Sequence, residues 1–307
     1  MFAKVPAMHL DNTQRIKAEL ILIGVTVIWG ATFVVTQSGL LFISPFLLIA
    51  ARFSLAFGIF AALSGRHLFE ISRVTLRRGV VLGIFLTISY LAQTAGLQYT
   101  SAARSGFITY LFAVLVPPLQ YLIARRTVSL GNLLGLAVVV LGVLVFSAPG
   151  AGGLNQGDIM TLLCAVGLAF YVVLLDRYSL QSSAQDLAVL QFGTVAVLAT
   201  VGTVVGEWLV GGTVLFIPSP ALLWTVAYLG ILGTAVALGL QTRYQHETSP
   251  VRATIIFGLE PVFAALAALL LAAQVPTGHE LVGGGLILAG LLISELWQFR
   301  SSMPEIV

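Results

Sequence analysis

Residues 93–104 read QTAGLQYTSAAR and residues 241–252 read QTRYQHETSPVR. A shift of 148 residues lays Gln93-Thr94 on Gln241-Thr242, Thr100-Ser101 on Thr248-Ser249 and Arg104 on Arg252. The same shift carries Gly135 to Gly283 and Gly142 to Gly290. One constant offset joining these matches identifies an internal duplication, and a duplication decides the fold before any single element does. Whatever the first half builds, the second half builds again.

Composition names the solvent around the two halves. Of 307 residues, 58% are hydrophobic and 9% are charged, against about 25% charged in soluble domains. So few charges cannot cover a water-facing surface, and most of the exterior must meet lipid. In lipid every backbone amide needs an internal partner, which leaves helical bundles or closed barrels. The apolar runs are continuous and reach the roughly 20 residues of a spanning helix, rather than alternating in short segments. The sequence therefore predicts an all-α polytopic membrane protein.

Ten transmembrane helices are expected: Leu20–Gln37, Phe46–Leu63, Gly79–Leu97, Ser105–Ala124 and Leu130–Phe146, then Asp158–Leu175, Leu187–Val205, Leu222–Gln241, Arg252–Ala272 and Leu281–Trp297. The first 17 residues are polar, and the run that follows lacks a small-residue cleavage site, so it reads as an uncleaved first span. Basic residues flank cytoplasmic ends of spans. Lys4, Arg15 and Lys17 lie before span 1, Arg66, Arg73, Arg77 and Arg78 between spans 2 and 3, and Arg125 and Arg126 between spans 4 and 5. Arg177, Arg243, Arg252 and Arg300 continue the pattern, leaving Arg52 inside span 2 and Arg104 at the outer start of span 4. This places both termini in the cytoplasm. The chain divides into a cytoplasmic N-tail (1–19), a first five-helix repeat (20–148), a second, inverted repeat (157–297) and a cytoplasmic C-tail (298–307). Five spans per half, an odd number, makes this a 5+5 inverted repeat, a recurring plan of secondary transporters with the substrate between the halves.

Several motifs carry a family resemblance. They are Trp29-Gly30-Ala31-Thr32-Phe33, Arg52-Phe53, Gly96-Leu97-Gln98-Tyr99-Thr100-Ser101-Ala102, Gly258-Leu259-Glu260-Pro261-Val262-Phe263, and the paired glycines of the last span in each half. In order and spacing the chain resembles the EamA family of the drug/metabolite transporter superfamily, from Ile21 to about Glu295. The resemblance implies a carrier in a bacterial inner membrane that exports amino acids or related metabolites through a cavity lined by spans 1, 3, 4, 6, 8 and 9. Within the family the chain is similar to the YddG-type exporters of aromatic and other neutral amino acids. One departure stands out: Ala113 occupies the place of Pro261, and Pro117 and Pro118 come a turn later. The two halves are therefore expected to bend at different depths.

Ionisable residues deep in a span are costly and invite a functional reading. Glu260, just before Pro261, is a candidate for proton coupling or for meeting a cationic group, with a hydrogen-bonded structural carboxylate as the alternative. Arg52 could grip a substrate carboxylate bidentately, but a structural tie is favoured. Tyr90, Gln93 and Thr94 share one face of span 3 with Leu97. Ser101, Ser105, Thr109 and Phe112 repeat the device in span 4 with Tyr110 adjacent, and Gln241 follows Thr234 and Leu238 in span 8. Trp29 with Thr32 offers an aromatic wall. The expected substrate-binding set is Trp29, Thr32, Tyr90, Gln93, Thr94, Tyr110 and Gln241. Trp208, Trp224 and Trp297 are placed at the membrane interface.

Other functions lack their motifs. No Walker A loop appears, and His246-Glu247 fails as a zinc signature because Pro250 stands where the second histidine belongs. No cofactor, metal or nucleic-acid partner is expected; the partners are a small molecule and lipid. A nucleotide-sugar carrier would need several cavity cations, and a cationic-drug carrier is the other alternative. Gly131/Gly135 and Gly202/Gly206 read as helix-packing pairs within a monomer, with a homodimer as the second reading.

Overall fold

A computed structural model describes residues 12–124, 130–146, 153–211, 213–247, 253, 256–275 and 277–301. Lys4, Arg125, Arg126, Thr248, Ser249, Pro250 and Arg252 lie outside the described residues. Twelve α-helices follow in order among the described residues: α1 (Asn12–Gly39), α2 (Pro45–Ser64), α3 (Arg73–Gly96), α4 (Ala102–Thr109), α5 (Phe112–Ala124), α6 (Leu130–Phe146), α7 (Gln156–Ser179), α8 (Ala184–Gly202), α9 (Pro220–Ala227), α10 (Ala237–Tyr244), α11 (Glu260–Ala272) and α12 (Gly278–Ser301). Extended backbone pairs only in an isolated antiparallel bridge between Ile43 and Phe216 among the described residues.

Among the described residues, seven helical stretches are long and apolar enough to cross a membrane: Thr13–Gly39, Pro45–Glu70, Arg73–Gly96, Ala102–Ile123, Gln156–Ser179, Ala184–Val210 and Pro220–Glu247. Leu133–Gly142, Glu260–Ala272 and Leu281–Gly290 are apolar but shorter. The helices start where serine or asparagine can cap them. Ser72, Ser101, Ser183 and Ser219 each accept a hydrogen bond from a backbone N–H of the first turn, which satisfies a donor that has no intrahelical partner. Asn155 and Asp158 form a full capping box on α7.

The links collect at two ends of the bundle. At one end Arg78, early in α3, donates to the Gln181 carbonyl and to Ser182 Oγ, and His67 lies 3.3 Å from Asp186. Arg243 pairs with Glu247 one turn on. At the opposite end Ser44 and the Phe46 N–H bond to Glu207, and Arg104 meets Asp158. The basic residues Arg66, Arg73, Arg77, Arg78, Arg177 and Arg243 follow from this connectivity to the first end, here the basic end.

Helices of the two halves interleave. α3 packs along α7 and α8, α2 along α8, α1 along α11, and α6 along α12. Small residues set the closest approaches: a Cβ on Gly157 would stand 2.3 Å from the Gly96 carbonyl oxygen, so the α3 end and the α7 start meet backbone to backbone. Gly131 faces Trp297 and Gly202 faces Phe46, whereas Gly206 touches nothing. Leu41, Leu63, Leu122, Leu223 and Leu270 project from the outer surface. A water-soluble monomer would not tolerate so much exposed apolar area. Trp208, Trp224 and Trp297 are exposed among them, while Trp29 is buried.

The helices depart from ideal α geometry at places that matter. α8 runs into a π-helical stretch, Thr203–Val210, and a second one, Tyr228–Val236, joins α9 to α10. The expectation of unequal bends does not hold. α4 stops at Thr109 and α5 begins at Phe112, with a tight turn at Tyr110–Leu111; the second half turns at Gly258–Leu259 and restarts at Glu260. These breaks are 148 residues apart, the offset of the repeat. Pro261 sits in the first turn of α11, where a missing N–H costs nothing. It accommodates the break, and Ala113 serves as well in that position. Pro117 and Pro118 fall inside α5, below the break.

Candidate substrate site

Both interruptions face one internal cavity of about 40 Å³, room for a few waters. α1 contributes Trp29 and Thr32; α3 contributes Ser89, Tyr90 and Gln93; Thr109 ends α4 and Phe112 starts α5. From the other half come Cys164, Leu168, Tyr171 and Val172 on α7, Leu238 and Gln241 on α10, Phe257 and Glu260. The lining is paired by the 148-residue shift: Tyr90 with Leu238, Gln93 with Gln241, Thr109 with Phe257 and Phe112 with Glu260. The cavity thus sits where the two halves meet about their pseudo-symmetry.

α3 and α10 each supply an amide, and each glutamine lies three residues from its helix end. Gln93 Nε2 donates to Thr109 Oγ1 at 3.0 Å and approaches Cys164 Sγ at 3.7 Å, cross-linking three helices. Gln241 Nε2 donates to Gln245 Oε1 at 2.9 Å, while its own Oε1 is buried without a donor. Thr32 Oγ1 donates to the Trp29 carbonyl. The Trp29 indole N–H donates to the Gly233 carbonyl at 3.2 Å, within the wide turn between α9 and α10. Trp29 and Phe257 rings lie 5.9 Å apart.

Arg52, Thr94 and Tyr110 do not line this cavity. Thr94 and Tyr110 are buried beside it, the Tyr110 ring edge-on to Phe112. Arg52 lies behind Tyr90, its guanidinium 4.8 Å from that ring centre, with Nε donating to Thr234 Oγ1 at 2.9 Å and Nη2 unpartnered. Glu260 faces the cavity, is 9% exposed, and makes no hydrogen bond or ion pair among the described residues. Sequence reasoning did not assign Leu168, Tyr171, Val172 or Phe257 to a site. Cys164, Leu168 and Tyr171 lie at i, i+4 and i+7, a helix face that reads as ordinary core.

Toward the end opposite the basic one, side chains tie the halves shut. Arg104 Nε and Nη2 donate to the two Asp158 carboxylate oxygens at 2.9 and 2.6 Å, and Nη2 also reaches the Gly153 carbonyl. Thr100 Oγ1 donates to Asp158 at 2.8 Å. Gln37 Nε2 donates to the Leu97 and Thr100 carbonyls, and Gln274 Nε2 donates to Gln37 Oε1. Four connections of the chain converge there.

The chain matches the model of the EamA-like transporter family twice, over residues 16–148 and 155–296. The matches end 148 residues apart and start 139 apart; the smaller shift pairs Trp29 with Leu168 and Thr32 with Tyr171, which also line the cavity. It is 29% identical over 93% of its length to an uncharacterised transporter of Archaeoglobus fulgidus, covering 88% of that protein. A second uncharacterised transporter of that organism is 25% identical, with 86% of this chain and 94% of that protein covered. A solved crystal structure superposes with a TM-score of 0.69 at 19% identity, over 94% of this chain and 100% of that one, a likeness of fold.

Proposed function

Because the chain belongs to the EamA-like transporter family, we propose that it is a secondary carrier working by alternating access. It crosses the cytoplasmic membrane ten times, five per half, with the halves inverted and the cavity between them as the substrate site. Two observations support the count: three shorter apolar helices accompany the seven long ones, and the helix breaks repeat at the offset of the sequence repeat. With the basic residues on the cytoplasmic side, both termini are cytoplasmic and the Arg104–Asp158 clasp is outer. The cavity lies between the two halves of one chain, which favours a monomer as the working unit.

The carrying observation is the cavity itself, an aromatic and amide-lined space between paired helix breaks. Broken helices at a repeat interface are where transporters place substrate. Aromatic walls and a few polar groups suit amino compounds with an aromatic or aliphatic body: neutral and aromatic amino acids and the amines derived from them, moved outward. A nucleotide sugar is disfavoured because no cation lines the cavity among the described residues. Uptake of the twenty amino acids and their amines into proteoliposomes, with and without a proton gradient, tests the reading. Saturable movement of at least one is expected; movement of none overturns it.

A further inference from the structure

Most side-chain donors of the cavity are engaged, and its one carboxyl is not. Trp29 Nε1, Thr32 Oγ1 and Gln93 Nε2 all bond to protein atoms. Ser89 Oγ donates to the Phe85 carbonyl, and Gln241 Nε2 to Gln245. Open among the described residues are the Glu260 carboxyl, without hydrogen bond or ion pair, the buried Gln241 Oε1 and the buried Tyr171 hydroxyl. Tyrosine hydroxyls accept as readily as they donate. The rings of Trp29 and Phe257 also line the cavity, and an aromatic face attracts a cation through its quadrupole.

Charge points the same way. Glu260 is the single carboxylic acid in the lining and has Phe112 as its symmetry mate, so no second charged side chain answers it among the described lining residues. Arg52, the nearest deep cation, is committed to Thr234 and to the Tyr90 ring and does not line the space. A ligand carboxylate entering here would meet a carboxyl and, among the described lining residues, no cation; an ammonium would meet unspent acceptors. A buried charge persists only when paired or hydrogen-bonded.

We infer that, within the transport reading above, the preferred substrate is an organic ammonium lacking a carboxylate, its charged nitrogen against Glu260 and Gln241 Oε1 and its body among the rings. Three probes that share one ring isolate the charge: 2-phenylethylammonium, phenylalanine and phenylacetate. The full-length protein in proteoliposomes should take up the amine at least about tenfold faster than either of the others, equivalent to about 1.4 kcal/mol of discrimination. Glu260→Gln should erase that preference, and Glu260→Asp should restore part of it. The wild-type comparison stands even if a variant fails to fold. Phenylalanine moved as well as the amine overturns the inference while leaving the carrier reading intact. Movement of none of the three also overturns it, and the broad screen then decides separately whether the chain is a carrier.

Discussion

Gln93 and Gln241 are symmetry mates held in unlike ways, so their replacement should separate binding from stability. Gln93 cross-links three helices through Thr109 and Cys164; Gln241 bonds only within its own helical run, to Gln245. Gln241→Ala should cut substrate uptake about tenfold with the thermal midpoint in detergent unchanged. Gln93→Ala should cut uptake similarly and also destabilise by about 1 kcal/mol. Equal midpoints for the two would remove the cross-linking role. Arg52 is a buried guanidinium with, among the described residues, one hydrogen bond, aromatic neighbours and no carboxylate partner. Replacing such a charge by an apolar chain of similar volume is often neutral. Arg52→Met should therefore hold the midpoint, and Arg52→Ala should lose about 2–3 kcal/mol through the void left beside Tyr90.

Among elements, the α4–α7 junction depends on Asp158, which accepts from Arg104, Thr100 and the Asn155 N–H at once. Asp158→Ala strands a buried arginine and should cost about 3–5 kcal/mol. Arg104→Ala with Asp158→Ala should cost well below the sum of the single losses, measured as a double-mutant cycle. The α4–α5 and pre-α11 breaks give a different expectation. Ala113 fills the position of Pro261 yet both halves break at the same register. Pro261→Ala should therefore preserve transport to within about threefold, with less than about 1 kcal/mol lost from the helix start. A collapse of transport would show that the proline, and not the packing around the turn, makes the break.

For the whole molecule, topology is the quantity to measure. Cys164 is the sole cysteine and is buried, so single reporter cysteines are easily read. Tyr99 and Gln181 are exposed at opposite ends of the bundle. Tyr99→Cys should react with an impermeant maleimide on intact cells, and Gln181→Cys only after permeabilisation. Reversed labelling overturns the assigned orientation; labelling of both from one side overturns the opposed ends themselves.

Composition and periodicity were enough to determine the lipid-facing, all-helical character, because burying uncharged surface in a membrane leaves few architectures. The repeat was also written in the chain, since the offset between Gln93 and Gln241 is a property of the duplication, but the prolines misled as to where its helices break. The membership of the cavity was legible in part: Trp29, Thr32, Tyr90, Gln93, Gln241 and Glu260 line it. Cys164, Leu168 and Tyr171 look like core until α7 is turned against α3 and α1, and Thr94 and Tyr110 look like lining until the same packing turns them away. Arg52 shows the limit most plainly: its depth is legible in sequence, but its position behind Tyr90 rests on a wide turn that brings Thr234 and Gly233 to it. Helical periodicity fixes which residues share a face. Only the packing of one helix against its neighbours decides whether that face meets lipid, protein or substrate.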